Sequence, residues 1–126
     1  IDGRFVNLFD PELELMTSVD FTPGSRYFLL NLDKVQTGNQ PKMLASGCQV
    51  LEEKFQQDKH LHGTYTCRVK GIGGTNAILL LSMPNQLKAV TIDGEPVNDY
   101  KTDVIARLGW IKFPNTAEWR ELKIEY

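Results

Sequence analysis

The stretch Thr64-Tyr65-Thr66-Cys67-Arg68-Val69-Lys70, followed by Gly71-Ile72-Gly73-Gly74 and then Ala77-Ile78-Leu79-Leu80-Leu81, decides how this chain folds. In the first segment Tyr65, Cys67 and Val69 alternate with Thr66, Arg68 and Lys70. A period of two sets one row of side chains on a core and the other in water. The glycine-rich segment turns the chain. The run 77–81 is apolar at every position, which suits a strand covered on both faces. A half-wet strand beside a fully covered one points to packed antiparallel sheets.

Working outward, the same short runs recur between turn residues, with no long helical periodicity. Toward the C-terminus, Val90-Thr91-Ile92-Asp93-Gly94-Glu95-Pro96-Val97 carries Asp-Gly at a hairpin tip, a strong short-range turn signal. Strands are expected at 100–108, at 110–113 and at 120–126. Toward the N-terminus they are expected at 4–9, at 13–21 before the turn Thr22-Pro23-Gly24-Ser25, and at 27–32 with both faces covered. Residues 37–41 read as a loop. Residues 43–55 read as one strand, because Val50-Leu51-Glu52-Glu53-Lys54-Phe55 is too brief to stand alone as a helix. About 8–10 short strands at this spacing predict an all-β, antiparallel β-sandwich, immunoglobulin-like or jelly-roll-like.

Composition bounds the rest. The 126 residues include 14 basic and 16 acidic side chains, for a net charge of −2, and no Lys/Arg run exists to grip a phosphate backbone. Nucleic acid is therefore not an expected partner. The apolar run 77–81 is far shorter than the ~20 residues of a spanning helix, so no membrane span is expected. The length suits a single domain over 1–126. The chain opens at Ile1 with neither an initiator Met nor signal-peptide regions, so either its start was removed by processing or, the favoured reading, it is a segment of a longer protein. Cys48 and Cys67 allow one disulfide without demanding it, and two buried thiols are the simpler reading.

The last two strands admit a specific register. Leu122, Ile124 and Tyr126 share one face, with Trp119, Glu121, Lys123 and Glu125 on the other; Ile111 and Phe113 oppose Trp110 and Lys112. Pairing them as a hairpin with Ile111 opposite Leu122 buries both apolar sets, sets Lys112 opposite Glu121 and Trp110 opposite Lys123. Trp110 and Trp119 would then both face solvent, ~14 Å apart at ~3.4 Å per residue. Such rings are either covered by a loop or neighbouring domain, free of any role, or a platform for a sugar chain.

Other motifs carry less. His60 and His62 share a strand face but are two ligands where zinc takes three or four. Glu52 and Glu53 are adjacent and point to opposite faces, so they do not form an acid/base pair. Asp99 and Asp103 lack the ligand density of a calcium loop. Residues 71–74 lack the Lys-Ser/Thr and following helix of a phosphate loop, and no Gly-x-Ser-x-Gly elbow occurs. No cofactor is expected.

The segments Gly3-Arg4-Phe5-Val6-Asn7-Leu8-Phe9-Asp10-Pro11 and Thr22-Pro23-Gly24-Ser25-Arg26-Tyr27-Phe28-Leu29-Leu30 carry a resemblance, as do Val90-Thr91-Ile92-Asp93-Gly94, Trp110-Ile111-Lys112-Phe113-Pro114-Asn115 and Leu122-Lys123-Ile124-Glu125-Tyr126. They resemble the C-terminal β-sandwich accessory modules of bacterial glycoside hydrolases and related exported polysaccharide-degrading proteins. The resemblance implies a non-catalytic module, periplasmic, cell-surface or secreted. Such a module packs on a catalytic domain of the same polypeptide or binds glycan, here through Trp110, Trp119, Lys112, Glu121 and Lys123. The rival reading is an immunoglobulin-like structural or adhesion module contacting protein.

Overall fold

The alternation of Tyr65, Cys67 and Val69 is kept in three dimensions: all three are about 1% exposed, and they open the main core of an all-β fold. The computed structural model describes residues 2–19, 24 and 27–126. The chain divides into two units, Ile1–Gly38 and Asn39–Tyr126. The described residues hold twelve strands, two more than the upper expectation, and a single helical turn.

In the first unit, β1 (Asp2–Asn7) lies between β2 (Leu15–Ser18) and β3 (Leu29–Asn31) in an antiparallel sheet of order β2-β1-β3. Phe5 faces Met16 on one side and Asn31 on the other. The expected strand 27–32 is shortened, because Asn31 ends it. The Asn31 side-chain oxygen accepts from the Asp33 backbone N–H at 3.1 Å and starts α1 (Leu32–Val35), burying Leu32. Phe28, expected to be covered, is 61% exposed. The expected strand 13–21 is confined to β2, and its residues 20 and 21 lie outside the described residues; of the turn 22–25, only Gly24 is described, with φ +83°.

The second unit is a sandwich. Its nine strands are β4 (Lys42–Ser46), β5 (Gln49–Gln57), β6 (Gly63–Lys70), β7 (Asn76–Ser82), β8 (Ala89–Ile92), β9 (Glu95–Pro96), β10 (Tyr100–Asp103), β11 (Leu108–Pro114) and β12 (Arg120–Glu125). They form an antiparallel four-stranded sheet, β10-β11-β7-β4, and an antiparallel five-stranded sheet, β5-β6-β12-β8-β9. Both sheets contribute to one core. Ala77, Leu79 and Leu81 of β7 and Ile111 and Phe113 of β11 meet Tyr65, Cys67, Val90, Leu122 and Ile124. Burying each such aliphatic side chain contributes about 1.5–3 kcal/mol.

Two local expectations are corrected here. Residues 43–55 are not one strand, since Gly47-Cys48 takes the chain from the four-stranded sheet to the five-stranded one. The 110–113 and 120–126 strands do not form a hairpin. β11 is filled on both edges, Trp110 opposite Leu80 and Lys101, while Leu122 of β12 lies opposite Cys67 and Ile92. The apolar sets therefore meet across the core from different sheets. Alternation is satisfied equally by two strands side by side and by two strands face to face, and the chain takes the second course.

Asn115 holds this crossing. Its backbone N–H donates to the Thr75 carbonyl at 2.8 Å, and its Nδ2 donates to Thr75 Oγ1 at 3.0 Å and to the Gly47 carbonyl at 3.4 Å. One buried amide thus ties together the β4–β5, β6–β7 and β11–β12 connections. The expected Asp-Gly hairpin is present: Asp93 and Gly94 have φ of +49° and +82°, the pattern of a type I′ turn between β8 and β9.

Candidate functional site: the outer face of the five-stranded sheet

Because Leu122, Ile124 and Tyr126 point into the core, Trp119, Glu121, Lys123 and Glu125 point outward, as their alternation predicts. Strand register brings other wet-face residues beside them. Lys54, Thr66, Lys123 and Thr91 form one row across β5, β6, β12 and β8, and Gln56, Thr64, Glu125 and Ala89 form the next. At ~4.8 Å between strands, a row of four is ~14 Å wide. Asp93 locks this surface from below: its N–H donates to the Glu121 carbonyl at 2.9 Å, and its Oδ1 accepts from the Glu121 N–H at 2.8 Å.

β12 stands as a rib between two shallow depressions. One, of about 490 Å³, is lined by Lys54, Phe55, Gln56, Thr64 and Thr66 together with Glu121 and Lys123. The other, of about 320 Å³, is lined by Ala89, Thr91, Gly94 and Glu125 with the same Glu121 and Lys123. The ion pairs here are exposed: Arg68 Nη1 to Glu52 Oε1 at 3.9 Å and Lys123 Nζ to Glu125 Oε1 at 3.9 Å. Each is worth about 0–1 kcal/mol in water, so these charges stay available to a ligand. At one end, half-buried Trp119 has the Arg68 guanidinium and the Lys70 ammonium each 5.6 Å from its ring centroid.

The five residues singled out from the sequence are thus divided. Trp119, Glu121 and Lys123 lie together on this face. Trp110 and Lys112 lie on the four-stranded sheet, on the face of β11 opposite the core residues Ile111 and Phe113. Trp110 is only 5% exposed and has Lys101 Nζ 4.9 Å from its ring, so neither a Trp110–Lys123 nor a Lys112–Glu121 pair forms. The two-tryptophan platform is replaced by a surface with one tryptophan. Arg68, Lys70, Lys54 and Thr91 join the site unannounced. The alternation of 64–70 shows which way Arg68 and Lys70 face, but only the strand order shows that Trp119 lies beside them.

The remaining motifs resolve locally. His60 and His62 sit in the β5–β6 loop and not on a strand, because Asp58 Oδ1 accepts both their backbone N–H groups, at 2.8 and 3.1 Å. Those bonds, the His62 one foremost, hold the Asp58 carboxyl below its ordinary value. His62 Nδ1 lies 3.4 Å from both Asn85 Nδ2 and Lys88 Nζ, so it acts as an acceptor. Among the described residues no three His, Cys, Asp or Glu side chains cluster as a metal site. Asp103 Oδ1 accepts the Ala106 N–H at 2.9 Å and closes the β10–β11 turn.

Glu52 and Glu53 do point apart. Glu52 reaches Arg68 on the outer face, while Glu53 Oε1 accepts from the hydroxyl of the core residue Tyr65 at 2.6 Å. A bulge in β5 between Leu51 and Lys54, with Glu52 at φ +56°, makes this possible. Both cysteines are free thiols. Gln49 lies opposite Lys70, three residues or ~10 Å along β6 from the level of Cys67, so Cys48, which precedes Gln49 in the connection between the sheets, is not the strand partner of Cys67. Burial pushes the Cys67 thiol up to about 12 and raises Cys48 as well.

No protein-family model, curated protein or solved structure matches this chain.

Proposed function

We propose that this chain is a non-catalytic accessory module of an exported carbohydrate-active protein, and that it contacts polysaccharide on the outer face of its five-stranded sheet. The observation that carries the reading is the β12 rib, where Glu121 and Lys123 line both flanking depressions and Trp119 stands at the end. A sugar chain is extended and dense in hydroxyls. It asks for donors and acceptors spread over a wide open surface, with an aromatic ring to take a C–H face. Carboxylate, ammonium and threonine hydroxyls in rows whose neighbours are ~4.8 Å apart supply that pattern.

A second reading, contact with a neighbouring catalytic domain or another protein, draws on the first unit. Phe9 and Phe28 are each 61% exposed, with ring centroids 6.3 Å apart. Asn7 Oδ1 accepts from both their backbone N–H groups at 3.1 Å, which sets the two rings in place. An exposed, pre-ordered aromatic pair suits an apolar partner surface.

Tryptophan fluorescence against a broad polysaccharide panel tests the first reading. A response that survives Trp110→Phe and disappears in Trp119→Phe is expected. No response to any polysaccharide overturns it.

A further inference from the structure

We infer that the polysaccharide bound on this face is acidic, with its carboxylate or sulfate groups received by Arg68 and Lys70 beside Trp119. The inference rests on the glycan reading above and names its ligand class. Its basis is the crowding of like charge at one end of the sheet. Arg68 and Lys70 alternate outward on β6, and Trp119 extends β12 just past the Arg120–Val69 pair, which draws it beside Lys70. Both cations lie 5.6 Å from the same ring centroid, so they are at most about 11 Å apart, comparable to the ~8–10 Å screening length at physiological salt. Two like charges held against one indole raise the local positive potential, and an anion lowers it.

The face as a whole is mixed. Glu52, Glu121 and Glu125 stand among Lys54, Arg68, Lys70 and Lys123. Their placement is uneven. Glu125 is beside Lys123, and Glu121 lies on the rib opposite Arg68, lining the depressions with Lys54 and Lys123, whereas Lys70 lies opposite the uncharged Gln49. At the tryptophan end Arg68 has two acidic neighbours, Glu121 across the strand pair and Glu52 in an ion pair at 3.9 Å, with the Arg68 and Glu52 side chains 47% and 58% exposed. A solvated pair that long gives up its partner easily. A planar guanidinium next to an aromatic face matches an acidic sugar well: the fork binds the carboxylate or sulfate, and the ring takes the adjacent pyranose C–H face.

Affinity electrophoresis of the whole chain through gels containing polygalacturonate, dextran sulfate, xylan or a mixed-linkage β-glucan tests the inference. Retardation is expected in the first two, falling at least tenfold in affinity between 50 and 500 mM salt. Arg68→Gln with Lys70→Gln is expected to remove at least tenfold, while Lys59→Gln, in the β5–β6 loop, leaves binding unchanged. Melting curves of the variants verify that they fold. Equal or stronger retention by the neutral polysaccharides overturns the inference and leaves the glycan reading standing. No retention by any of the four overturns both. Preference for dextran sulfate over polygalacturonate identifies sulfate as the recognised group, and the reverse identifies carboxylate.

Discussion

The hydroxyl of Tyr65, on a strand at the centre of the core, donates to the Glu53 carboxylate of the edge strand β5 at 2.6 Å. A second tie runs parallel to it, from the Tyr126 hydroxyl to Gln57 Oε1 at 2.8 Å, and Gln57 Nε2 continues to the Asn39 carbonyl at 2.9 Å. β5 is nine residues long and almost wholly exposed, so little apolar burial holds it. These side-chain bonds, with the ladder to β6, keep it in register and so keep Lys54 and Gln56 on the outer face. Tyr65→Phe should cost about 0.5–1.5 kcal/mol in chemical denaturation, the net worth of one hydrogen bond, since the exposed Glu53 carboxylate turns to water when its donor is lost. A loss below about 0.3 kcal/mol would contradict the role given to this pair.

The same burial makes the fold sensitive to alkali. Burial first, and the Glu53 bond second, raise the Tyr65 phenol well above its ordinary value; burial raises Tyr126, and Cys67 to about 12. In the unfolded chain thiols ionise near pH 8.5 and phenols near pH 10. The unfolded state therefore releases protons there that the folded state retains, and stability must fall as pH rises. Full stability is expected below about pH 8.5, with a decline beginning there and steepening above about pH 10. Urea midpoints measured from pH 7 to 11 check this, and a flat profile across that range contradicts it.

The crossing at Asn115 depends on a missing side chain. A Cβ on Gly71 would stand 2.2 Å from Asn115 Oδ1, whereas one on Gly73 would meet nothing within 4 Å. Neither glycine has a positive φ, so the difference is one of space alone. Gly71→Ala should destabilise by about 1–3 kcal/mol as the amide is forced off its partners. Gly73→Ala should stay within about 0.5 kcal/mol. Similar losses at both positions would argue against the account of this corner.

On the proposed reading, β12 separates stability from binding by alternate residues. Leu122→Ala empties a fully buried position and should cost about 2–5 kcal/mol. Lys123→Gln, on the exposed face, should change stability by no more than about 0.5 kcal/mol while weakening any polysaccharide complex. Thermal melts of the two variants, read beside their retention on polysaccharide, give the comparison. Unfolding by Lys123→Gln would mean that the outer face serves the fold.

The thiols offer a covalent check on strand register. With Cys67 about 1% exposed and Cys48 half-buried, a small alkylating reagent should modify Cys48 first in the native protein. Both should react after denaturation, even following exposure to air or mild oxidant. A two-proton mass deficit in the unreacted protein would show a bridge and break the β5–β6 register.

What alternation shows, the sequence carries well: the inward rows at Tyr65, Cys67 and Val69 and at Leu122, Ile124 and Tyr126 are where a period of two places them. The Asp93-Gly94 turn is equally legible, because left-handed backbone there has a residue-type signature. Strand partners are not. Nothing in Ile111 or Leu122 distinguishes a neighbour in the same sheet from one across the core, and so the site drawn around Trp110 and Trp119 joined residues of two different sheets. The bulge at Glu52 also escapes a pattern reading, since the contacts it serves, Glu52 to Arg68 and Glu53 to Tyr65, need partners supplied by the fold, whereas the helical turn after Asn31 rests on a local cap that the apolar run 27–32 masks.

The most direct test of the central claim is a residue-resolved map of the bound surface. Amide chemical shifts should be followed while the protein is titrated with oligosaccharides of whichever polysaccharide retains it. The account predicts perturbations concentrated at Thr66, Arg68, Thr91, Trp119, Glu121 and Lys123, with the Trp119 indole N–H among the largest. Perturbations centred on Lys101, Trp110 and Lys112 would place the ligand on the other sheet and contradict it.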